Sequence, residues 1–403
     1  MDMSMRAKAF ADEKIKAVRK RLGDEQNVND FGAMRTIIQT IFDDEQSNFF
    51  SYEDIESVIK RIFYKTRRKL GILQPLIDDA TVSEIMVNGP KDIFVERNGK
   101  IEKYHAEFDS VEELEEVIRN IAGEVHREIN ERSPIVDARL PDGSRVNGVY
   151  KNIALNGPIL TIRKFSEEYM RMDDLVKNGT ISQSGANLLE DLVLGGYNIF
   201  VSGGTSSGKT TLLNALAEAV PTDERVIIIE DSAELKMRYI ENIVHLECKN
   251  SNSSGEGGVS MSDLIKSSLR MRPNRIIVGE VRGNEVVDML QAMNTGHDGS
   301  LSTGHANSVE GMLKRLESLY LAAMPINVDA IREQIATGID ILVHIERQRD
   351  GRRRVTEITE LLGYQEGKFS LNRIMKIGSN GKLYQVGRIQ KKKGIGEGID
   401  FLY

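Results

Sequence analysis

The chain has no tryptophan and a single cysteine, Cys248. One cysteine excludes disulfides within the chain and zinc sites built from several thiolates, and it fits a reducing compartment. Long apolar runs are missing too. Nothing approaches the ~18–20 apolar residues that a membrane span requires, so a membrane connection is expected only through a partner or a surface contact. The first residues, Met1-Asp2-Met3-Ser4-Met5-Arg6-Ala7-Lys8, lack the apolar core of a secretory signal. Nor is positive charge in excess: 54 basic and 61 acidic residues leave a net charge of −7. With no tryptophan and no clear stacking platform, this balance argues against a nucleic-acid motor. What remains is an ordinary globular composition, 40% hydrophobic and 29% charged over 403 residues, enough for two or three domains.

One stretch carries chemistry on its face. Gly203-Gly204-Thr205-Ser206-Ser207-Gly208-Lys209-Thr210 fits the phosphate-loop pattern G-x-x-x-x-G-K-[ST] at every fixed position. The β-prone run Tyr197 to Ser202 precedes it, and Thr211 to Ala217, with apolar residues at helical spacing, follows. Glycines let the backbone wrap closely and aim its N–H groups at phosphate oxygens, and the helix N-terminus adds its positive end. Lys209 is expected to reach the β- and γ-phosphates and Thr210 to ligate Mg2+.

Around this loop the chain reads in segments. Residues 1–70 read as charged amphipathic helices. Ser51 and Asp54 form a capping box there, and Ile55, Val58, Ile59, Ile62 and Phe63 form one apolar face. Arg61, Lys65, Arg67, Arg68 and Lys69 read as a solvated face suited to a helix C-terminus, or as a docking surface for acidic partners or lipid. Residues 71–165 read as an α+β domain with hairpins at Asn98-Gly99 and Pro141-Asp142-Gly143, and with a helix capped by Ser110 and Glu113. A linker is expected over 166–175. From 176 to 403 strands and helices alternate, which predicts a mainly parallel sheet covered by helices. Its strands are expected at 225–230, 242–248, 275–280 and 299–303, with a helix over 261–271 and a mobile Ser/Gly-rich loop from Ser251 to Gly258. Short strands and hairpins follow from Ile341, and Lys391-Lys392-Lys393 reads as a solvated tail.

Ligands of parallel sheets bind outside the carboxyl ends of the strands. Two strands end in acid there: one in Glu230-Asp231, with Glu234 nearby, the other in Glu280. A phosphate-loop enzyme needs a carboxylate toward Mg2+ and a group that orients water. The spacing leaves open which strand end does which, because Gly279 stands where the usual magnesium aspartate would be. The run Thr295 to Ser308 holds His297 and His305 among glycines; an imidazole there can sense a γ-phosphate or be structural, and metal ligation, the rival reading, lacks supporting cysteines and a third ligand.

Taken together these runs resemble the secretion-superfamily traffic ATPases, in particular the CpaF-like branch of Tad (Flp) pilus assembly, and are similar to the hexameric ATPases of type IV secretion. Gly203–Thr211 corresponds to the Walker A motif, Ile229–Leu235 to the Asp box, Arg272–Gly283 to the Walker B motif and Thr295–Ser308 to the His box. Leu76–Pro90 and Leu140–Asn147 resemble that branch's N-terminal domain. Ser232 stands where many extension and retraction motors have proline, and the four-cysteine zinc module of many type II enzymes is absent. The resemblance implies an α/β fold, with a RecA-like P-loop domain preceded by a smaller α+β domain and the helical segment. It implies ATP and Mg2+ as ligands, the latter on Thr210 and Glu230. Glu280 would polarise water, with Glu230, Asp231 and Glu234 in support. His305 and His297 would sense the γ-phosphate, and Arg145 and Arg163 would approach the phosphates from the N-terminal domain. A homohexamer is implied, cytoplasmic and peripheral at the inner face of the membrane, driving a membrane platform protein. A non-hydrolysing ATP-binding regulator is the other class left standing; intact Lys209, Thr210 and Glu280 count against it.

Overall fold

The computed structural model describes residues 4–24, 29–165, 170–249, 257–391 and 393. The chain divides into two compact units, Met1–Glu167 and Glu168–Tyr403.

The first unit contains α1 (Met5–Asp24), α2 (Asp30–Phe42), α3 (Tyr52–Arg67), α4 (Gln74–Asp78), β1 (Val82–Asn88), β2 (Ile93–Arg97), β3 (Lys100–Tyr104), α5 (Val111–Glu124), β4 (Ile135–Arg139), β5 (Arg145–Val149) and β6 (Ile159–Arg163). The Ser51 hydroxyl accepts the Asp54 N–H and starts α3. Helices α1 to α3 bury Phe10, Ile37, Ile41, Val58 and Ile62 among themselves. The six strands form one antiparallel sheet in the order β3-β2-β1-β6-β5-β4. Asn98 (φ 51°) and Gly99 (φ 77°) make the two-residue turn between β2 and β3. Helix α5 lays Leu114, Val117, Ile118 and Ile121 on the sheet.

Of the basic end of α3, Arg61 and Lys65 have their side chains largely buried in ion pairs, while Lys69 is 75% exposed, as a solvated face would have it. Arg61 pairs with Asp12 at 3.0 Å and Asp109 at 2.5 Å. Lys65, its side chain 5% exposed, pairs with Asp109 and with Glu113 at 3.0 Å. Arg68 reaches Asp30, and Lys69 reaches Glu124. These cations tie α3 and the residues after it to α1, α2 and both ends of α5. Helical segment and sheet thus fall in one compact unit.

The second unit contains α6 (Met172–Lys177), α7 (Gln183–Leu194), β7 (Ile199–Gly203), α8 (Lys209–Ala217), β8 (Val226–Glu230), β9 (Ile243–Glu247), α9 (Met261–Ser268), β10 (Arg275–Val281), α10 (Glu285–Asn294), β11 (Leu301–His305), α11 (Val309–Ala323), α12 (Val328–Gly338), β12 (Ile341–Arg347), β13 (Arg353–Gln365), β14 (Lys368–Ile377) and β15 (Leu383–Gln385). They build a nine-stranded sheet in the order β15-β14-β13-β12-β7-β11-β10-β8-β9. The six strands from β12 to β9 run parallel, and β13 to β15 are antiparallel to their neighbours. Strands β7 and β8 are buried at every residue, as the middle of a sheet covered on both faces must be. One apolar core lies around Leu189, Leu213 and Ile228, the other around Ile265, Met289 and Leu313.

Several boundaries differ from the sequence reading. Met172–Lys177 is helical where a linker was expected to run to residue 175; residues 166–169 lie outside the described residues. So does most of the Ser251–Gly258 loop. Helix α9 stops at Ser268, and Arg272 takes a left-handed φ of 55°. Strand β11 begins at Leu301 because Gly299 turns at φ 80°, with the Arg275 guanidinium packed where its side chain would be.

Lys391 and Lys393, read as part of a solvated tail, are tied to the domain. Glu360 is fully buried, and its carboxylate accepts the backbone N–H groups of Gln390 (3.0 Å) and Lys391 (2.7 Å). The Tyr197 hydroxyl donates to the Lys391 carbonyl at 2.5 Å. Lys393 pairs at 2.7 Å with Asp340, itself 1% exposed, and Asp340 accepts the Asn198 N–H at 2.9 Å. A buried carboxylate without donors costs several kcal/mol, roughly 3–5 for a broken buried pair. The segment is therefore strapped across the base of β7 and β12, and Lys392 lies outside the described residues.

Candidate nucleotide site

The loop that joins β7 to α8 is shaped by contacts only glycine permits. At Gly203 the Ile345 carbonyl of β12 and the Ser207 hydroxyl occupy the space a Cβ would need. Gly208 sits at φ 97° and Ser206 at φ 57°, so the chain turns tightly into α8. Helix α8 has no side-chain cap hydrogen bond among the described residues, which leaves its first-turn N–H groups for a ligand. Ser207 Oγ is buried and has no hydrogen-bond partner among the described residues. Thr205, Thr210 and Thr211 complete the loop and the helix's first turn.

Lys209 is 7% exposed. Its Nζ donates to the Gly204 carbonyl at 2.9 Å and lies 3.2 Å from His305 Nδ1. An ammonium has only protons to give, so Nδ1 accepts and the neutral ring carries its proton on Nε2. Burial, then the charge of Lys209, pushes the His305 pKa down, and burial likewise lowers that of Lys209. The strand register explains why these residues meet: His305, last of β11, pairs with Gly203, last of β7.

His305 Nε2 stands 2.6 Å from Oε1 of Glu280, at ion-pair distance although off the line of a good hydrogen bond. The other oxygen of Glu280 takes Arg282 Nη2 at 2.5 Å. Arg282 Nη1 continues to Asp231 at 3.4 Å. A polar chain therefore runs Lys209–His305–Glu280–Arg282–Asp231 across the ends of β7, β11, β10 and β8. The hydrogen bond to Glu280 raises the Arg282 pKa further.

Glu230 plays a different part. It is 4% exposed, and its Oε1 accepts the backbone N–H groups of Glu234 (3.0 Å) and Leu235 (3.1 Å). It thereby folds the segment after β8 back onto the strand. This also explains Gly279. A Cβ there would stand 2.9 Å from Glu230 Cγ, so the position before Glu280 cannot carry an aspartate while Glu230 is so placed. The buried Thr303 hydroxyl fixes the same spot by donating to the Gly279 carbonyl at 2.7 Å.

His297 is not brought to this group. Its Nδ1 lies 3.1 Å from the Ala292 carbonyl at the end of α10. It precedes Leu301, which pairs with Ile199 at the start of β7. That is the opposite edge of the sheet from Gly203, because a parallel strand carries its two ends to opposite edges. Arg145 and Arg163 belong to the first unit, where they are direct cross-strand partners. Arg139 pairs with Arg145 in turn, and Glu84 with Arg163, so three arginines and a glutamate stand abreast.

Two residues near the loop escaped the sequence reading. Arg282 was legible in principle: an acid and a base two apart at a strand end share a side. Arg353 was not. It starts β13, 147 positions from Ser206, yet its Nε donates to the Ser206 carbonyl at 3.2 Å.

A glycine-wrapped loop between a central parallel strand and a helix, backed by a buried lysine and a strand-end glutamate, defines a RecA-like phosphate-loop domain. The chain belongs to the type II/IV secretion system protein family, which matches residues 66–373. It is 36% identical over 323 residues to a conjugal transfer protein TrbB of Rhizobium radiobacter, covering 79% of this chain and 95% of that one. It is 31% identical over 315 residues to the type IV secretion system protein PtlH of Bordetella pertussis, covering 72% and 93%. Two solved structures share the fold. The ATPase DotB of Legionella pneumophila has a TM-score of 0.52 at 20% identity, covering 73% of this chain and 80% of that one. The pilus retraction motor PilT with bound ADP has a TM-score of 0.51 at 19% identity, covering 79% and 83%. No helix among the described residues is long and apolar enough to cross a membrane.

Proposed function

We propose that this chain is a magnesium-dependent ATPase that drives pilus assembly or protein secretion as a motor, most closely of the Tad (Flp) type. The observation that carries the reading is the chain of contacts joining Lys209, His305 and Glu280 at 3.2 and 2.6 Å. It connects the group that would meet phosphate to the group that would meet water.

The loop N–H groups of residues 204–209 would hold the phosphates. Lys209 would exchange the Gly204 carbonyl and His305 for phosphate oxygens. Losing Lys209, His305 would be free to register whether a γ-phosphate is present. Glu280 would orient the attacking water and take its proton. Arg145 and Arg163 would stabilise the charge of phosphoryl transfer, a contribution on the order of 10^3–10^5 in rate. Mg2+ suits the residues here. Thr210 offers a hydroxyl in the first turn of α8, and an ion that keeps water and phosphate oxygens as its other ligands needs little more. Glu230, already holding two backbone N–H groups, would support that shell. The ion would neutralise the charge between the β- and γ-phosphates.

The relatives' names concern conjugal transfer and type IV secretion, and this supports a motor acting on a membrane-bound assembly. We take the working form to be a homohexamer, cytoplasmic and peripheral at the inner face of the membrane, acting on an inner-membrane platform protein. For work to result, ATP must favour one arrangement of the two units over another.

The test is turnover of ATP by the purified chain with Mg2+, with and without membranes carrying the platform protein. Lys209→Ala is expected to abolish turnover, and Glu280→Gln to retain ATP without hydrolysing it. Absence of turnover under every condition, with ATP still bound, would make the chain a regulator. Stimulation by nucleic acid at moderate salt would make it a nucleic-acid motor.

A further inference from the structure

The two oxygens of the Glu280 carboxylate face different elements, and only Oε2 accepts a hydrogen bond among the described residues. His305 at the end of β11 faces Oε1 at 2.6 Å, and Arg282, just past β10, holds Oε2 at 2.5 Å. A glutamate at a strand end has three rotatable bonds, so something must fix its head if it is to act on a water in one place. His305 alone, off the line of a good hydrogen bond, leaves the carboxylate free to pivot. Arg282 removes that freedom because it is itself held. Its second nitrogen reaches Asp231 at 3.4 Å, directly after β8, the strand that pairs with β10. A planar guanidinium can grip two carboxylates at once; an ammonium is a single point. Stability does not account for this arrangement. The Arg282 side chain is 54% exposed, and exposed ion pairs contribute only about 0–1 kcal/mol.

We propose that Arg282 is a positioning residue for hydrolysis, which holds the Glu280 carboxylate in its working orientation and is braced for that purpose by Asp231. This rests on the reading of Glu280 as the group that acts on water.

The experiment measures steady-state ATP turnover, ATP binding and thermal unfolding for the full chain with Mg2+. Arg282→Ala is expected to lower kcat on the order of 10^2-fold, the scale of a misplaced catalytic group, while Kd for ATP and the Tm stay at wild-type values. Arg282→Lys should restore part of the rate. Asp231→Asn should lower kcat less than Arg282→Ala does, and should add nothing in the Arg282→Ala background. Three outcomes overturn the proposal: an Arg282→Ala enzyme near wild-type kcat while Glu280→Gln is inactive, a loss of rate matched by an equal loss of ATP affinity, or a fall in Tm that accompanies the loss. Full turnover by Glu280→Gln overturns the reading of Glu280 and this proposal with it, so the two failures are told apart.

Discussion

His305 Nε2 lies 2.6 Å from Glu280 Oε1, so one imidazole joins the phosphate-loop lysine on its far side to the strand-end glutamate on its near side. The two neighbours pull its pKa in opposite directions. Glu280 raises it, and Lys209 lowers it, while burial lowers it most.

The ring is therefore expected to titrate below its ordinary value of 6.5. The unfolded chain binds the proton more readily than the folded one. This group's contribution to stability is accordingly complete above that value and is lost as pH falls through the folded pKa. An NMR titration of the His305 ring checks this. Lys209→Ala should move the midpoint upward, because the largest lowering cause after burial is gone. A midpoint unmoved by that substitution would contradict the contact.

Gly279→Ala places a Cβ against Glu230 Cγ. Overpacking of this kind costs typically ~1–3 kcal/mol. Here it should also loosen the turn at Glu234 and Leu235, whose N–H groups Glu230 holds. Chemical denaturation gives the cost, and hydrogen exchange at those two amides gives the location. Wild-type stability and protection would show that Glu230 can move aside freely.

Glu360→Leu removes the acceptor for Gln390 and Lys391. We expect a loss of roughly 1–3 kcal/mol, the scale for orphaned polar groups, together with fast exchange at both amides and release of the segment to protease. Rapid cleavage there in the wild-type protein would contradict the strap.

Arg353→Ala should raise Kd for ATP several-fold and leave kcat little changed, because Arg353 supports the Ser206 carbonyl rather than a reacting atom. Isothermal titration alongside steady-state kinetics separates the two. A fall in kcat with Kd unchanged would assign Arg353 a different role.

The sequence alone determined the loop Gly203–Thr210, the order of strands and helices around it, and the acidic ends of β8 and β10. These are local signals: glycine spacing, apolar periodicity and turn residues within a few positions of one another. The family was legible for the same reason, as its motifs are short and ordered. Tertiary structure decided the rest. It sent His305 to Lys209 and His297 to the opposite edge, because only strand register tells the two ends of β11 apart. It gave Glu230 to a backbone turn and so explained Gly279. It turned basic residues of two runs, Arg61 and Lys65 in one and Lys391 and Lys393 in the other, from surface charge into fastenings. Their partners lie 40 or more positions away in the chain or in another element, and no local pattern encodes such a distance. The loop announces itself in the sequence; the residues that aim and brace it become neighbours only when the sheet forms.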